Sequence, residues 1–256
     1  KCSAMCAPWC AAAQHIARLD RSLAAIRMST PLDHDQWRDV LGKLVAQLDG
    51  ADQYVYIQVT RGAYPGRSHV LPEEVSPTVI AFAMQLPEPD PRFAREGIAA
   101  VTLDDLRWGR CDIKATTLLP NVLGLGQARD EGADEAIFVR DGKAIEGTAS
   151  NLFIVNAGLL ITPPNSQWLL PGVTRDLVLE LAEQAGMPDA EASISVLDLD
   201  FAEEIWLTSS TREVVTVTRM NGRPVGNGEP GPYWQRMRQL FSACKEHLRG
   251  GGECRT

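Results

Sequence analysis

The pattern of apolar and polar residues along this chain switches several times between a helical period and a strand period. Apolar residues recur at helical spacing in five segments, whereas β-branched residues and alternation with polar residues predict strands in others. The predicted helices are His15–Met28, Asp35–Leu48, Thr116–Glu131, Thr174–Ala185 and Tyr233–Leu248. The predicted strands are Tyr54–Thr60, Thr78–Leu86, Ile98–Leu103, Glu204–Ser209 and Val214–Arg219, with a meander of short strands over Glu135–Thr162.

Turn residues and prolines divide these elements. Asp141-Gly142, Asn156-Ala-Gly158 and Asn221-Gly222 predict tight turns between antiparallel strands. Pro87-Glu-Pro-Asp-Pro91 cannot continue a helix or a central strand, so we interpret it as an interdomain linker. We therefore predict an α+β protein with a small N-terminal domain over 1–89 and a larger domain over 90–256, because helices and strands do not alternate as βαβ units.

Composition narrows the functional classes only slightly. The chain has 256 residues, of which 45% are hydrophobic and 23% are charged, as in ordinary globular proteins. Its formal net charge of −8 argues against a main role in binding nucleic acid or anionic membranes. No apolar run has the length of a transmembrane helix, and no secretory signal is recognisable, so we predict a cytoplasmic location.

The cysteines do not predict a metal site. Cys2, Cys6 and Cys10 recur every four residues, which would place them on one side of a helix. That spacing is not a standard zinc or iron–sulfur pattern, and histidine and acidic partners are missing. We expect free thiols and no bound metal.

The most informative residue is Lys114, which ends the run Arg-Trp-Gly-Arg-Cys-Asp-Ile-Lys from Arg107. A lone lysine is usually a solvated surface charge. This one precedes an apolar, helical run, so we expect burial to disfavour its charged form, as suits an amine that bonds covalently to a carbonyl. Glu146, in Glu-Gly-Thr-Ala-Ser-Asn151, could then keep a pyridine nitrogen protonated.

These two runs, followed by Leu170-Pro-Gly-Val-Thr174-Arg-Asp, carry a resemblance. In this order they resemble the fold-type IV pyridoxal-phosphate aminotransferases, and most closely the D-amino acid aminotransferases within that family. The resemblance implies a small N-terminal α/β domain and a larger domain with a strand-rich pseudo-barrel. It also implies pyridoxal 5′-phosphate as the cofactor, with Lys114 as its covalent anchor and Glu146 at its ring nitrogen.

Several residues suit the phosphate of such a cofactor. The segment Gly172–Asp176 opens a helix, whose unpaired N–H groups favour an anion, so Val173 and Thr174 are candidate phosphate ligands, and Thr174 is also a candidate N-cap. Ser209 and Ser210 follow a predicted strand and offer further hydroxyl and N–H donors. Arg18 matches the phosphate-binding arginine of the family.

Substrate choice is assigned to a loop. Arg67 and His69 lie in Gly62–Pro72, and in the resembling D-amino acid enzymes an Arg-x-His loop reaches the partner subunit's site and binds the substrate α-carboxylate. The loop is one residue longer than the usual form of the family. The resemblance thus implies a homodimer with its active site at the subunit interface.

The implied activity is ping-pong transamination, with D-alanine and 2-oxoglutarate giving pyruvate and D-glutamate and Lys114 moving the proton. Three alternatives remain: a branched-chain L-amino acid aminotransferase, an aminodeoxychorismate lyase, or a remnant that binds cofactor with impaired catalysis. The last arises because Lys1–Gln14 do not resemble the initial strands, Gly-Asp-Gly turn and tyrosine of the family. We expect the small domain to lack edge strands and to expose unpaired sheet.

Overall fold

The computed structural model describes residues 9–49, 52–66, 69–72 and 75–250, and of residues 9–11 it describes only the backbone. This part of the chain contains seven helices and twelve strands. It forms two compact units, one within Lys1–Glu88 and the other over Pro89–Arg249. No helix among the described residues is long and apolar enough to cross a membrane.

The first unit is a helix pair with a two-stranded antiparallel sheet. Its elements are α1 (Trp9–Ala25), α2 (His34–Val45), β1 (Gln53–Thr60) and β2 (Thr78–Gln85). Alternate strand residues pack against the buried side chains of Ile16, Trp37 and Leu41 from the two helices. The opposite face carries Tyr56 and Phe82, whose rings stack with centroids 5.0 Å apart and are 37% and 40% exposed. Each strand has one edge that no other described strand of this unit pairs with.

The helix bounds of this unit differ from those predicted. Helix α1 begins at Trp9 instead of His15, because the alanines that follow Cys10 favour a helix, and it ends at Ala25, shortly before Arg27 adopts a positive φ of 56°. Helix α2 begins after Asp33, whose carboxylate accepts a hydrogen bond from the backbone N–H of Gln36 in a capping box.

The predicted cysteine stripe cannot be compared with the structure. Cys2 and Cys6 lie outside the described residues, and the side chain of Cys10 is not described. Cys111 and Cys244 are free thiols, of which Cys111 is buried.

The second unit contains every other element. In chain order these are α3 (Pro91–Arg95), β3 (Ile98–Asp104), α4 (Leu119–Asp130), β4 (Glu135–Arg140), β5 (Lys143–Gly147), β6 (Asn151–Asn156), β7 (Leu159–Thr162), α5 (Val173–Gln184), β8 (Asp189–Glu191), β9 (Ile194–Ser195), α6 (Val196–Asp200), β10 (Glu204–Ser209), β11 (Glu213–Met220), β12 (Arg223–Pro224) and α7 (Pro232–Arg249). The short elements α3, α6, β8, β9 and β12 were not predicted. Helix α3 begins at Pro91, the last residue of the supposed linker, because proline is tolerated at a first helical position and the carboxylate of Asp90 accepts a bond from the N–H of Arg92.

Six strands of this unit close into a barrel in the order β6, β10, β11, β3, β4 and β5, and β5 pairs back onto β6. Strand β3 is parallel to β11 and β4, and the other pairs around the ring are antiparallel. The predicted turns at Asp141-Gly142, Ala157-Gly158 and Asn221-Gly222 are confirmed, because the first residue of each has a φ between 49° and 51°. The α+β class and the strand-rich barrel are therefore confirmed.

The barrel strands are buried on both faces where helices cover the ring. In β6, Leu152 and Ile154 belong to the core cluster that also contains Ile98 and Ile137, whereas Phe153 and Val155 pack with α5 and α7. This double burial explains why β6 is a continuous apolar run rather than an alternating one. It also gives the strand ends a rigid support, and the candidate site lies at those ends.

Candidate functional site

Glu146 is a buried carboxylate near the end of β5, with 5% of its surface exposed. Its Oε2 accepts hydrogen bonds from the backbone N–H of Leu170 at 3.1 Å and the side-chain amide of Asn151 at 3.3 Å. Its Oε1 accepts a short bond from the guanidinium of Arg107. Burial raises the pKa of Glu146 to about 7, against the opposing effect of Arg107.

Arg107 connects Glu146 to a second buried acid. Its Nε and Nη2 donate to the carboxylate of Asp105 at 2.8 and 3.0 Å, and Nη2 also donates to the carbonyl of Trp168 at 3.0 Å. Burial opposes ionisation of Asp105, but Arg107 holds the pKa of that carboxyl below its usual range. Burial likewise opposes the charge of Arg107, yet the two carboxylates raise its pKa. The cluster therefore holds a permanent cation against Glu146.

Lys114 is exposed, which contradicts the expectation that its surroundings bury it. The segment that ends at Lys114 starts from the buried Arg107 and is held by a bond from the N–H of Cys111 to the carbonyl of Gln167 at 2.8 Å. Within this segment Ile113 and Cys111 are buried, with 7% and 9% exposed. The predicted apolar run does form α4, but the side chains of Leu119, Val122 and Leu123 are 64% to 68% exposed.

The N-terminus of α5 is formed as predicted, with one correction. The N-cap is Gly172 rather than Thr174, and no side chain caps the helix. Val173 and Thr174 are the first two helical residues and are 7% and 8% exposed. A glycine is needed at 172, since a Cβ there would lie 1.9 Å from the Oδ1 of Asn151.

Asn151 brings three of the predicted segments together. It pairs with Glu146 across β5 and β6 and with Thr208 across β6 and β10, and its amide donates to the carbonyl of Leu170 at 2.8 Å. Ser209 and Ser210, half-buried and exposed respectively, follow Thr208 directly. Glu146, the helix α5 N-terminus and the end of β10 thus meet at one end of the barrel.

The remaining predicted site residues belong to the first unit. Arg18 lies in α1 and is buried, with its Nη2 3.0 Å from the Nδ1 of His15. His69 is exposed in the loop between β1 and β2. Arg67 lies outside the described residues.

Sequence reasoning assigned no role to Asp105, Arg107 or Asn151. Two of the three lie in the runs that carried the resemblance, and the Asp-x-Arg spacing before Lys114 was a usable signal. Their burial was not predictable, because charged and amide residues are normally exposed unless tertiary partners satisfy them.

Comparison with known proteins identifies the family. The family described as amino-transferase class IV matches residues 6–220. The chain belongs to this family, and with it to the pyridoxal-phosphate-dependent aminotransferases of fold type IV. Among its relatives, the D-alanine aminotransferase of Bacillus licheniformis is 37% identical over 219 residues, which are 86% of this chain and 77% of that protein. The D-alanine aminotransferase of Listeria monocytogenes (strain 10403S) is 36% identical over 242 residues, which are 94% of this chain and 83% of that protein.

Solved structures agree on the fold. The branched-chain amino acid aminotransferase of Escherichia coli is 27% identical, with a TM-score of 0.82 over 94% of this chain and 79% of that one. An aminotransferase from Mycobacterium tuberculosis, in a form with α-ketoglutarate and PMP bound, is 26% identical, with a TM-score of 0.76 over 90% of this chain and 82% of that one.

The residues present fit pyridoxal phosphate. A buried carboxylate beside a permanent cation suits a protonated ring nitrogen, and a helix N-terminus without a side-chain cap suits a phosphate. Two buried hydroxyls next to Asn151 and Ser209, those of Ser150 and Thr208, have no hydrogen-bond partner among the described residues. Buried polar groups usually have partners, so these hydroxyls are consistent with a polar ligand nearby.

Proposed function

We propose that this protein transfers the amino group of D-amino acids to 2-oxo acids, with D-alanine and 2-oxoglutarate as the reference substrates. The observation that carries the proposal is the buried Glu146, held between Arg107 and Asn151 at the barrel end where α5 begins and β10 ends. The similarity to D-alanine aminotransferases over most of the chain supports the choice of D-amino acids.

Each site residue then has a distinct role. Pyridoxal phosphate, when bound, supplies the electron sink that accepts the electron pair left when the substrate Cα–H bond breaks. Lys114 would anchor the cofactor covalently. Once the substrate amine has displaced it, its free amine would accept the proton from the substrate Cα as general base and return it as general acid.

Glu146 maintains the proton on the ring nitrogen. Its pKa of about 7 in the protein without cofactor means that the carboxyl is only partly ionised at neutral pH. A cationic ring nitrogen favours the ionised form, so cofactor binding and ionisation of Glu146 strengthen each other.

We assign the phosphate to the N–H groups of Val173 and Thr174 and to the donors of Ser209 and Ser210. This assignment rests on the open helix terminus and on the family resemblance. Arg18 stays a candidate phosphate ligand on the family resemblance alone. Arg67 and His69 are the proposed ligands of the substrate α-carboxylate, and the second unit, Pro89–Arg249, is the proposed cofactor domain. The cytoplasm remains the predicted compartment.

Absorption and product analysis test the proposal. The purified protein, with added pyridoxal phosphate, should develop the absorption band of lysine-bound cofactor, and D-alanine with 2-oxoglutarate should yield pyruvate and D-glutamate. Lys114→Ala should lose both, whereas Lys143→Ala, which removes an exposed lysine of β5, should keep both. No band in the wild-type protein contradicts the enzyme proposal. Turnover of L-leucine but not D-alanine would favour the branched-chain alternative, and pyruvate release without an amino acceptor would favour the lyase.

We also propose a homodimer, formed through an apolar face on and before α4. Leu118, Leu119, Val122 and Leu123 are 49% to 68% exposed, and Leu106 is 83% exposed in the segment that leads to Lys114. An exposed apolar cluster of this kind is typical of an interface, and its place beside Lys114 would put the site at that interface.

Sedimentation analysis tests this face. The wild-type protein should sediment as a dimer at micromolar concentration, and the double variant Leu119→Asp, Val122→Asp should sediment as a monomer. Leu197→Asp, which changes a residue 66% exposed on α6, should remain dimeric. A monomeric wild-type protein, or a dimeric double variant, contradicts the proposed interface.

A further inference from the structure

Glu135 is a buried acid that the proposed chemistry does not use. It begins β4 and is 1% exposed. Its Oε1 accepts hydrogen bonds from the N–H of Ala136 at 3.1 Å, from the N–H of Thr148 at 3.3 Å and, at short range, from the Thr148 hydroxyl. Its Oε2 accepts a bond from the Nη2 of Arg212 at 2.6 Å. A carboxylate this buried needs such partners, and both non-neighbouring partners lie in turns at the candidate site.

Thr148 belongs to the turn between β5 and β6, which we call the Glu146 turn and define as residues 147–150. The side-chain amide of Asn121 donates to the carbonyl of Thr148 at 2.7 Å, so this turn is also held by α4, the helix that follows Lys114. Thr148 therefore contacts Glu135 through its N–H and hydroxyl and α4 through its carbonyl.

Arg212 belongs to the turn between β10 and β11, which we call the serine turn and define as residues 209–213. Its N–H donates to the Oγ of Ser209 at 3.3 Å. Glu213 adopts a φ of 57°, which is uncommon for a residue with a side chain, and it forms an ion pair with Lys245 of α7. Two ion pairs therefore contact the serine turn: Arg212 pairs with the buried carboxylate of Glu135, and Glu213 forms a half-exposed pair with Lys245.

We propose that Glu135 is a positioning residue that couples the serine turn to the Glu146 turn. Resting on the proposed function, this coupling fixes the spacing between Ser209 and Glu146, the groups assigned to the phosphate and to the ring nitrogen of one cofactor. A rigid cofactor is bound at both ends only if that spacing is held, and a single carboxylate shared by the two turns holds it.

Hydrogen exchange of backbone amides tests the coupling without relying on catalysis. In Arg212→Gln, the amides of the serine turn should exchange about tenfold faster, and those of the Glu146 turn should also accelerate, because Glu135 loses its cation. Lys245→Gln is the matched control, since it removes the other ion pair of the serine turn but does not reach Glu135, and it should leave the Glu146 turn unchanged. Unchanged exchange in the Glu146 turn of Arg212→Gln would overturn the coupling.

A change in the Glu146 turn, at Thr148, tests whether the coupling also reaches the serine turn. Thr148→Val removes the hydroxyl that bonds to Glu135 and keeps the side-chain shape, so the serine turn should exchange faster, whereas Thr148→Ser keeps the hydroxyl and should restore the wild-type rate. Equal rates in the valine and serine variants would contradict the role of this bond.

Measuring cofactor affinity distinguishes a failure of the proposed coupling from a failure of the proposed function. In Glu135→Gln, the preference for pyridoxal phosphate over pyridoxal should fall about tenfold, because the phosphate donors are no longer held in place. An unchanged preference together with coupled exchange would overturn the assignment of Ser209 and Ser210 and support the coupling. A wild-type protein that binds neither compound would overturn the proposed function, and the exchange experiment would still decide the coupling.

Discussion

The ionisation of Glu146 predicts how the stability of the cofactor-free protein depends on pH. The carboxyl has a pKa of about 7 in the folded protein against an ordinary value of 4.5. The folded state therefore binds the proton more tightly than the unfolded state, and stability is lost as pH rises through this window. At about 1.4 kcal/mol per pKa unit, the full loss is about 3 kcal/mol, and most of it falls between pH 5 and pH 8. Because Gln cannot ionise, the free energy of unfolding of Glu146→Gln should lack this dependence on pH.

Urea unfolding at pH 5 and pH 8 measures the effect. The stability of the wild-type protein relative to Glu146→Gln should fall by about 2 to 3 kcal/mol between these pH values. Glu246→Gln, which neutralises an exposed acid of α7, should follow the wild-type protein. Added pyridoxal phosphate should reduce the pH dependence, because a cationic ring nitrogen favours the ionised carboxylate. If the wild-type protein and Glu146→Gln change in parallel from pH 5 to pH 8, burial does not control this carboxyl and the reasoning fails.

Three further changes test the packing around the site and in the first unit. Gly172→Ala places a Cβ 1.9 Å from Asn151 and should weaken pyridoxal phosphate binding in an absorption titration, whereas Gly126→Ala, with open space around it, should not. Glu204→Gln weakens the bonds that Glu204 accepts at the start of α7, and it should cost about 1 to 3 kcal/mol in urea unfolding, since charged acceptors form the stronger bonds. Trp37→Ala removes a side chain with 0% exposure and should lower the free energy of unfolding of the first unit by about 3 to 5 kcal/mol. The unfolding transition of this unit should then be lost. An exchange-protected first unit in that variant would contradict the last expectation.

The barrel illustrates what local patterns could predict. The Asp141-Gly142 turn and the apolar run of β6 predicted short antiparallel strands, because a two-residue turn with positive φ forces its flanking strands to pair. The closure of the ring was not predictable in the same way. It depends on the parallel pairing of Ile98 with Val217, residues that no turn connects and whose side-chain alternation carries no information about a partner.

For the candidate site, too, some features followed from the sequence and others only from the tertiary structure. The sequence by itself determined the family, the cofactor and the residue types at Lys114 and Glu146, because these depend on the order and chemistry of the motifs. Only the tertiary structure decided that Lys114 is exposed and that Arg107 and Asn151 contact Glu146. The same holds for the sharing of Glu135 between two turns. Burial and ion pairing arise when distant segments meet, so the free energy that shifts the pKa of Glu146 does not exist until the barrel has closed.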